Sequence, residues 1–338
     1  MIPFQYTRAS DVADAIKQIA ADPSAKFIAG GTNLLDLIKY DVATPTRLID
    51  ISRLPLRNVE ETATGGVLIG ALVPNTDLAY HPLIEARYPL LSRSILAGAS
   101  QQLRNMASTG GNLVQRTRCF YFYDATTPCN KREPGSGCSA ISGINRINAI
   151  LGTSQSCIAT HPSDMCVALA VLEAIVHVTG PAGARTIAFA DFHRLPDNTP
   201  QLDTNLEPDE IITAIELPAK GFSTNYSYLK IRDRLSYAFA LVSVAAALEL
   251  DGDTIKEARV ALGGVAHKPW RSSAAEVVLR GQRAEASTFA NAADILLRRA
   301  RGFGHNDFKI GLARRAIVRT LGQAARGTPQ SISDKKIR

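Results

Sequence analysis

The run Lys26-Phe27-Ile28-Ala29-Gly30-Gly31-Thr32-Asn33-Leu34-Leu35-Asp36-Leu37-Ile38-Lys39 decides how the amino-terminal part of the chain folds. Residues 26–29 carry a short apolar strand signal. Gly30-Gly31 is a tight turn, and residues 32–39 place apolar side chains at helical spacing. Upstream, Ser10 or Asp11 caps a helix that runs to about residue 21, with Val12, Ile16 and Ile19 on one face. Downstream, Arg47-Leu48-Ile49-Asp50-Ile51 is a second strand. Strand, turn, helix and strand make a βαβ-like unit within residues 1–55. The helix start offers free N–H groups and the positive end of the helix dipole, which together suit a phosphate. Neither G-x-G-x-x-G nor G-x-x-x-x-G-K-[ST] is present. Taken alone, Gly-Gly-Thr is a weak signal and reads more readily as a plain strand–helix turn.

A second region covers residues 56–221. Residues 67–72 form a strand and residues 81–98 a helical stretch. Strands resume at 174–178 and 210–217. Between them lies a second glycine turn, Ser108-Thr109-Gly110-Gly111-Asn112, preceded by Gln102, Arg104 and Asn105. Side chain-to-backbone hydrogen bonds account for such a loop by themselves. Two such turns flanking one region point instead to a single diphosphate-bearing ligand. A third region, residues 222–327, reads as strands at 226–232, 238–250 and 259–265. Asp251-Gly252-Asp253 is a hairpin turn. Helices follow at about 272–279, 287–300 and 308–325, the last with Ile310, Ala313, Ile317 and Leu321 on its apolar face. Strands followed by helices predict a separate α+β domain. Residues 328–338 read as a disordered tail, and there is no internal repeat.

The chain has 338 residues, 46% of them hydrophobic and 20% charged, which fits a globular protein of two to three domains and excludes collagen-like or mostly disordered classes. No apolar run reaches the roughly 18–20 residues of a membrane helix. The net charge of +7 is unevenly placed. Residues 271–338 hold 14 Lys and Arg against 5 Asp and Glu, a balance of +9, so residues 1–270 sum to −2. A nucleic-acid protein more often spreads its basic residues through its main domain with interleaved aromatics. The pattern argues against nucleic acid and leaves solvated helix faces or docking onto an acidic partner.

All five cysteines fall between Cys119 and Cys166, with spacing C-x9-C-x8-C-x18-C-x8-C. The start of the sequence lacks a basic segment followed by an apolar one, so cytoplasmic folding is the default reading. In a reducing compartment, clustered cysteines favour metal ligation over disulfides. Four thiolates hold tetrahedral zinc or an iron–sulfur cluster. Structural zinc usually uses paired C-x2–4-C knuckles, which are absent, and single cysteines on a loop with Pro128, Pro134, Gly135 and Gly137 suit a cluster better. Zinc and unligated thiols stay open on spacing alone. Cys166 lies in an apolar helical pattern and reads as a buried free thiol. His161 is an alternative ligand, although a loop histidine beside Pro162 is ordinarily structural. There is no G-x-S-x-G and no H-E-x-x-H. A Cys157 nucleophile with His161 or His177 has little support, and no catalytic residue is assigned.

At these residues the sequence resembles the flavoprotein subunit of the xanthine dehydrogenase/aldehyde oxidase family of molybdenum hydroxylases. The motifs are Ala-Gly-Gly-Thr-Asn-Leu-Leu at 29–35, Ala-Ser-Thr-Gly-Gly-Asn-Leu at 107–113, Glu-Ile-Ile-Thr-Ala-Ile-Glu-Leu-Pro at 210–218, Tyr-Leu-Lys-Ile-Arg-Asp-Arg at 228–234, Ala-Leu-Gly-Gly-Val-Ala at 261–266 and Phe-Lys-Ile-Gly-Leu-Ala-Arg-Arg at 308–315. The resemblance runs to about residue 325. It implies an α+β chain, with a two-part FAD-binding domain of the vanillyl-alcohol-oxidase/PCMH-like type followed by an α+β cap. The parts would be residues 1–55, residues 56–221 with a cysteine-rich insertion at about 115–160, and residues 222–327. It further implies that Ala29, Gly30, Gly31, Thr32, Asn33, Leu34 and Leu35 wrap the FAD pyrophosphate. Ser108, Thr109, Gly110, Gly111 and Asn112 would hold the other side. Asp164 matches an aspartate that contacts the cofactor, and Ile212 and Lys230 match positions near the flavin ring. Gly98 falls where some members place an aromatic on the adenine.

Most flavin subunits of that family lack the cysteine segment. Arg116 to Cys119, Pro128 to Arg132 and Pro134 to Cys138 resemble the bacterial aldehyde oxidoreductase branch, whose flavin subunit carries an extra [4Fe–4S] cluster. The implied ligands are Cys119, Cys129, Cys138 and Cys157. The implied role is electron transfer inside a heterotrimer. A molybdenum-cofactor subunit would oxidise an aldehyde, a [2Fe–2S] subunit would pass electrons to FAD here, and a small-molecule or protein acceptor would take them. The basic residues of the cap would be candidates for partner docking. Such complexes are exported folded when a partner carries the signal, so the periplasm is open beside the cytoplasm. The alternatives are a xanthine dehydrogenase-type or other molybdenum hydroxylase flavin subunit, a flavin oxidase complete in one chain, and a zinc-stabilised binding module.

Overall fold

A computed structural model describes residues 2–327. The tail read as disordered, 328–338, lies outside the described residues. The amino-terminal unit contains β1 (Gln5–Arg8), α1 (Val12–Ala20), β2 (Lys26–Ile28), α2 (Leu34–Lys39) and β3 (Arg47–Asp50). Its three strands lie in the order β1-β3-β2, all parallel. Asp11 caps α1 by accepting from the Asp14 amide at 2.8 Å. The buried Ala15 and Ile19 of α1 pack with Ile49 of β3, which accounts for the apolar face read from the sequence. β1 escaped the sequence reading because its side chains are largely exposed and carry no alternation.

The next region contains β4 (Val59–Glu61), β5 (Val67–Gly70), α3 (Asn75–Ala79), α4 (Pro82–Arg87), α5 (Pro89–Ala97), α6 (Gln101–Met106), α7 (Thr109–Leu113) and α8 (Phe120–Tyr123). It continues with α9 (Asp164–Leu172), β6 (Ile175–Gly180), β7 (Gly183–Ala188), α10 (Phe189–Phe192) and β8 (Ile211–Leu217). The strands form an antiparallel sheet in the order β4-β5-β8-β6-β7. The single helical stretch expected over 81–98 is two helices. Pro89 disfavours helical geometry at Tyr88, whose φ of −130° and ψ of 49° break the run. The Tyr88 ring is fully buried and its hydroxyl donates to the Pro218 carbonyl at 2.7 Å. The glycine turn at 108–112 is also corrected. It is the short helix α7, capped by the Ser108 hydroxyl on the Gly111 amide. β7 went unread because it is exposed and polar at most of its positions.

The last region contains β9 (Tyr226–Ile231), β10 (Val242–Asp251), β11 (Thr254–Gly263), β12 (Trp270–Arg271), α11 (Ser273–Val277), α12 (Ala286–Leu296) and α13 (Phe308–Ala325). Its sheet is antiparallel in the order β12-β11-β10-β9. Gly252, at φ +55°, turns β10 into β11, which begins five residues before the strand expected from residue 259. Alternation along β10 gives the sheet two buried faces. Val242, Val244, Ala246 and Leu248 pack with Ala313, Ile317 and Leu321 of α13. Ala245 and Ala247 face the other way, with Ala261, into the core of the preceding region that also holds α9. Small side chains there let the wholly buried α9 approach the sheet. The basic excess of this region is partly spoken for. Arg271 pairs with Glu173 and Glu276, Arg314 pairs with Asp294, and Lys309 is fully buried. Among the described residues no helix is long and apolar enough to cross a membrane.

Candidate functional site

The two glycine segments meet. A Cβ built on Gly30 would lie 1.8 Å from the Met106 carbonyl oxygen and 3.3 Å from Ala107 Cα. Glycine is therefore required for backbone to touch backbone at this point. Gly31 follows at φ +72°, the left-handed turn that feeds α2. Gly110 presses on Ala71, where a Cβ would come within 2.9 Å of the Ala71 Cβ. Its amide donates to the Ala71 carbonyl at 2.8 Å, and Thr109 donates twice to Val73, from its amide and from its hydroxyl. The segments read as two weak motifs are one surface, with residues 29–35 on one side and 108–112 on the other.

Asn33 stands at the start of α2 without capping it. Its Oδ1 accepts from the Arg116 amide at 3.0 Å, while its buried Nδ2 has no hydrogen-bond partner among the described residues. A buried amide donor without an acceptor is costly, so this one calls for an acceptor from outside the chain. An anionic diphosphate would supply such an acceptor at this helix start. Ala29, Thr32 and Leu34 on this side are partly buried, and Leu35 is exposed. On the other side Asn112 Oδ1 accepts from the Ser163 hydroxyl at 2.6 Å, and Ser163 in turn caps α9. That bond ties the second glycine segment to Asp164, the first residue of α9.

Asp164 and Lys230 form a buried ion pair at 2.7 Å. The Tyr228 hydroxyl donates to the other Asp164 oxygen at 2.6 Å, and Lys230 also reaches the Ala97 carbonyl at 3.1 Å. Burial beside the Asp164 charge pushes the Tyr228 hydroxyl well above its ordinary pKa. A Cβ on Gly98 would lie 3.2 Å from Asp164 Oδ2, so Gly98 belongs to the same corner. Ile212 is buried on β8, at the point where pairing with β6 shifts register. His177 faces Ala214 while Val178 faces Ile212, leaving Thr213 as the extra residue. The Thr213 carbonyl accepts from the Ala71 amide at 3.0 Å, which links the bulge to the wall beneath Gly110. Tyr228 was not singled out from the sequence. Its signal was available, since positions 228 and 230 of one strand face the same way.

The cysteine segment converges. Cys119, Cys129, Cys138 and Cys157 line one small void with Tyr121, Phe122, Pro128 and Lys131. Cys119 immediately precedes the single turn α8, Cys129 and Cys138 pair as an isolated antiparallel bridge, and Cys157 arrives from the following loop. Asn130 shapes the turn between the paired cysteines by accepting from the Gly135 and Gly137 amides. The sulfurs face donors. Backbone N–H groups of Tyr121 and Phe122 point to Cys119, those of Ala140, Ile141 and Ile158 to Cys138, and that of Ala159 to Cys157. Asn148 Nδ2 donates to Cys119 Sγ at 3.5 Å. These donors favour thiolates. The Cys138 thiol is pulled down to about 6, mainly by its hydrogen bond with Cys157. That same bond, with burial, pushes the Cys157 thiol up, and burial pushes Cys119 up. All four ionise together only where a cationic centre offsets them. Four cysteines ringed by N–H donors in a largely apolar wall fit an iron–sulfur cluster or zinc. Cys166 stands apart, fully buried in α9, with burial pushing its thiol up to about 12.

The sequence reading named His161 as an alternative ligand and did not anticipate the polar cluster around it. His161 and His193 lie with ring centroids 4.2 Å apart, and His267 is buried nearby with neither ring nitrogen hydrogen-bonded among the described residues. Burial holds all three imidazoles below their ordinary pKa, His193 at about 4. Buried Lys131 and half-buried Arg116 share Asp203. No periodicity marks these residues, because they come from separate loops.

Residues 2–220 match the family described as "FAD binding domain in molybdopterin dehydrogenase", and residues 226–324 match "CO dehydrogenase flavoprotein C-terminal domain". The chain is 51% identical over 325 residues to the aldehyde oxidoreductase FAD-binding subunit PaoB of Escherichia coli strain K12, covering 96% of this chain and 99% of that one. It is 29% identical to the glyceraldehyde dehydrogenase medium chain of Sulfolobus acidocaldarius, covering 83% of this chain and 82% of the relative. Among solved structures, carbon monoxide dehydrogenase from Hydrogenophaga pseudoflava aligns over 97% of this chain and 100% of that chain, at 26% identity and a TM-score of 0.76. With both domain families matched in order, and with the two glycine segments brought together as one surface, this chain belongs to the FAD-binding medium subunits of the xanthine dehydrogenase/CO dehydrogenase family of molybdenum hydroxylases.

Proposed function

We propose that this chain is the electron-transfer subunit of a molybdenum-dependent aldehyde oxidoreductase, carrying both FAD and a [4Fe–4S] cluster. The reading also includes partners that hold the molybdenum cofactor and a [2Fe–2S] centre. The observation that carries it is the convergence of Cys119, Cys129, Cys138 and Cys157 on one void, with backbone N–H groups facing the sulfurs. The 51% identical relative, itself named an aldehyde oxidoreductase subunit, supports the substrate class.

Bound FAD supplies the exchange between one-electron and two-electron chemistry. The chain's residues bind and orient it. Gly30, Gly31 and the unpartnered Asn33 amide receive the diphosphate, opposite Ser108, Thr109, Gly110, Gly111 and Asn112. The Asp164–Lys230 pair places a fixed cation and its counter-ion at the flavin end, and Ile212 offers an apolar wall there. Cys119, Cys129, Cys138 and Cys157 would ligate the cluster, and no residue acts on the aldehyde. Residues 1–55, 56–221 and 222–327 would serve as the two FAD-binding parts and the cap, with the acceptor approaching a complex that folds in the cytoplasm or is exported whole.

Purification with native partners tests this. We expect one flavin and four irons per chain, and aldehyde turnover only in the complex. Cys119→Ser should lower iron content while Cys166→Ser leaves it unchanged. One zinc and no iron would support the zinc-braced alternative, and aldehyde turnover by the isolated chain would support the single-chain oxidase.

A further inference from the structure

Lys131 is the one charged side chain lining the four-cysteine void among the described residues. Its side chain is 1% exposed. Its ammonium donates to the Pro200 carbonyl at 2.6 Å and to Asp203 Oδ1. Asp203 does not belong to Lys131 alone, because its other oxygen accepts from Arg116 Nε at 2.7 Å. Two cations therefore share one carboxylate. The cluster of three keeps a net positive charge beside the sulfurs, with Lys131 shielded from water and the Arg116 and Asp203 side chains 28% and 29% exposed. Arg116 is itself fixed. Its guanidinium sits 4.8 Å over the Phe122 ring, Phe122 lines the same void, and its backbone amide is held by Asn33 of the first glycine segment.

The potential of a thiolate-held iron–sulfur centre follows its net charge, the hydrogen bonds to its sulfurs and its burial. Adding an electron makes such a centre more negative. A fixed buried cation stabilises that state more than the oxidised one, and so raises the potential. A nearby carboxylate acts in the opposite sense. We propose that Lys131 and Asp203 set the reduction potential of the four-cysteine centre, Lys131 raising it and Asp203 moderating that rise. Lys131 is thus a positioning residue for charge and not a ligand. The inference rests on the reading of the cysteines as cluster ligands. Two other cations of the segment are bonded to groups other than Asp203. Arg118 pairs with Asp36, and Arg132 donates to the Tyr121 and Phe122 carbonyls.

The test is a redox titration of the purified complex, followed by electron paramagnetic resonance of the centre, with iron counted in every sample. Lys131→Met should favour the oxidised centre about tenfold, which is a fall of about 59 mV for one electron. Asp203→Asn should move the potential the other way, and Lys131→Arg should stay near the parent. A residue that merely braced the loop would move both variants in one direction or lower iron content in both. Opposite shifts at full iron content support the assignment. Unchanged midpoints at full iron content overturn it and leave the cluster reading intact. Absence of iron in the parent overturns the cluster reading and this assignment with it. If Lys131→Met does not accumulate, the signs for Asp203→Asn and Lys131→Arg decide.

Discussion

The Cα of Gly30 rests against the carbonyl of Met106, so closely that a Cβ would sit 1.8 Å from the oxygen. This contact makes one site of two segments more than seventy residues apart in sequence. Gly30→Ala forces the backbone of residues 106–107 away and shifts Ser108 with it. We expect loss of most bound flavin with the fold retained, read as the ratio of flavin to protein absorbance after gel filtration. Gly135→Ala, where nothing lies within 4 Å, is not a neutral control because its φ is +90°. Gly311→Ala, in helix α13, has no contact closer than 3.5 Å and should keep its flavin.

The Asp164–Lys230 pair gives a second prediction. Asp164→Asn leaves Lys230 as a buried cation with no carboxylate in contact. Breaking a buried pair in this way costs about 3–5 kcal/mol. Thermal unfolding should show a lowered Tm and weaker flavin retention. The double variant Asp164→Asn/Lys230→Met should recover part of the Tm, because the stranded charge is gone. Equal or greater loss in the double variant would refute the electrostatic account.

Lys309 predicts a pH dependence. Its amine is fully buried and donates to the carbonyls of Asn148 at 2.8 Å and Gly264 at 2.5 Å. Burial, with Arg146 nearby, holds it at about 7, below the ordinary 10.5. Between those values the unfolded chain binds one proton more than the folded one. Stability from this group therefore rises as pH goes from 7 toward 10.5, and is lowest below pH 7. The difference in urea midpoint between the parent and Lys309→Met should change across that window. A constant difference from pH 6 to 10 would contradict the assignment.

The buried imidazoles act at the acid end. His193 is held at about 4, with His161 and His267 also well below 6.5, in each case by desolvation. The unfolded chain takes up protons below 6.5 that the folded chain refuses. Stability present above pH 6.5 is therefore lost as pH falls toward 4, by up to about 1.4 kcal/mol per pH unit for each imidazole. Stability curves of the parent and of His193→Gln, whose amide still reaches the Leu113 carbonyl, should converge as pH is lowered. Parallel curves would count against it.

Local patterns were legible wherever one face of an element is buried. The helix capped at Asp11, the strands at 26–28 and 47–50, the hairpin at Gly252 and the apolar face of residues 308–325 all follow from period and capping. The elements that escaped, such as the strands at 5–8 and 183–188, are exposed and polar, so no burial pattern marks them. The break at Tyr88 was encoded by Pro89 and was overlooked. The glycine segments and the cysteine cluster were visible as motifs, and their family resemblance supplied the expected roles.

By itself, the sequence determined which residue types are available for a diphosphate and for a thiolate-held centre. It could not determine that Gly30 touches Met106, that Asp164 neutralises Lys230, or that Lys131 reaches Asp203 beside the cysteines. Those pairs join residues 66 to 76 positions apart, and 66 and 72 are the separations of the two ion pairs. Period and capping act over a few residues along one element. Contacts of this span depend on how separate elements pack, and a buried charge is settled by whichever partner that packing brings within hydrogen-bond distance. The tertiary structure alone decided them.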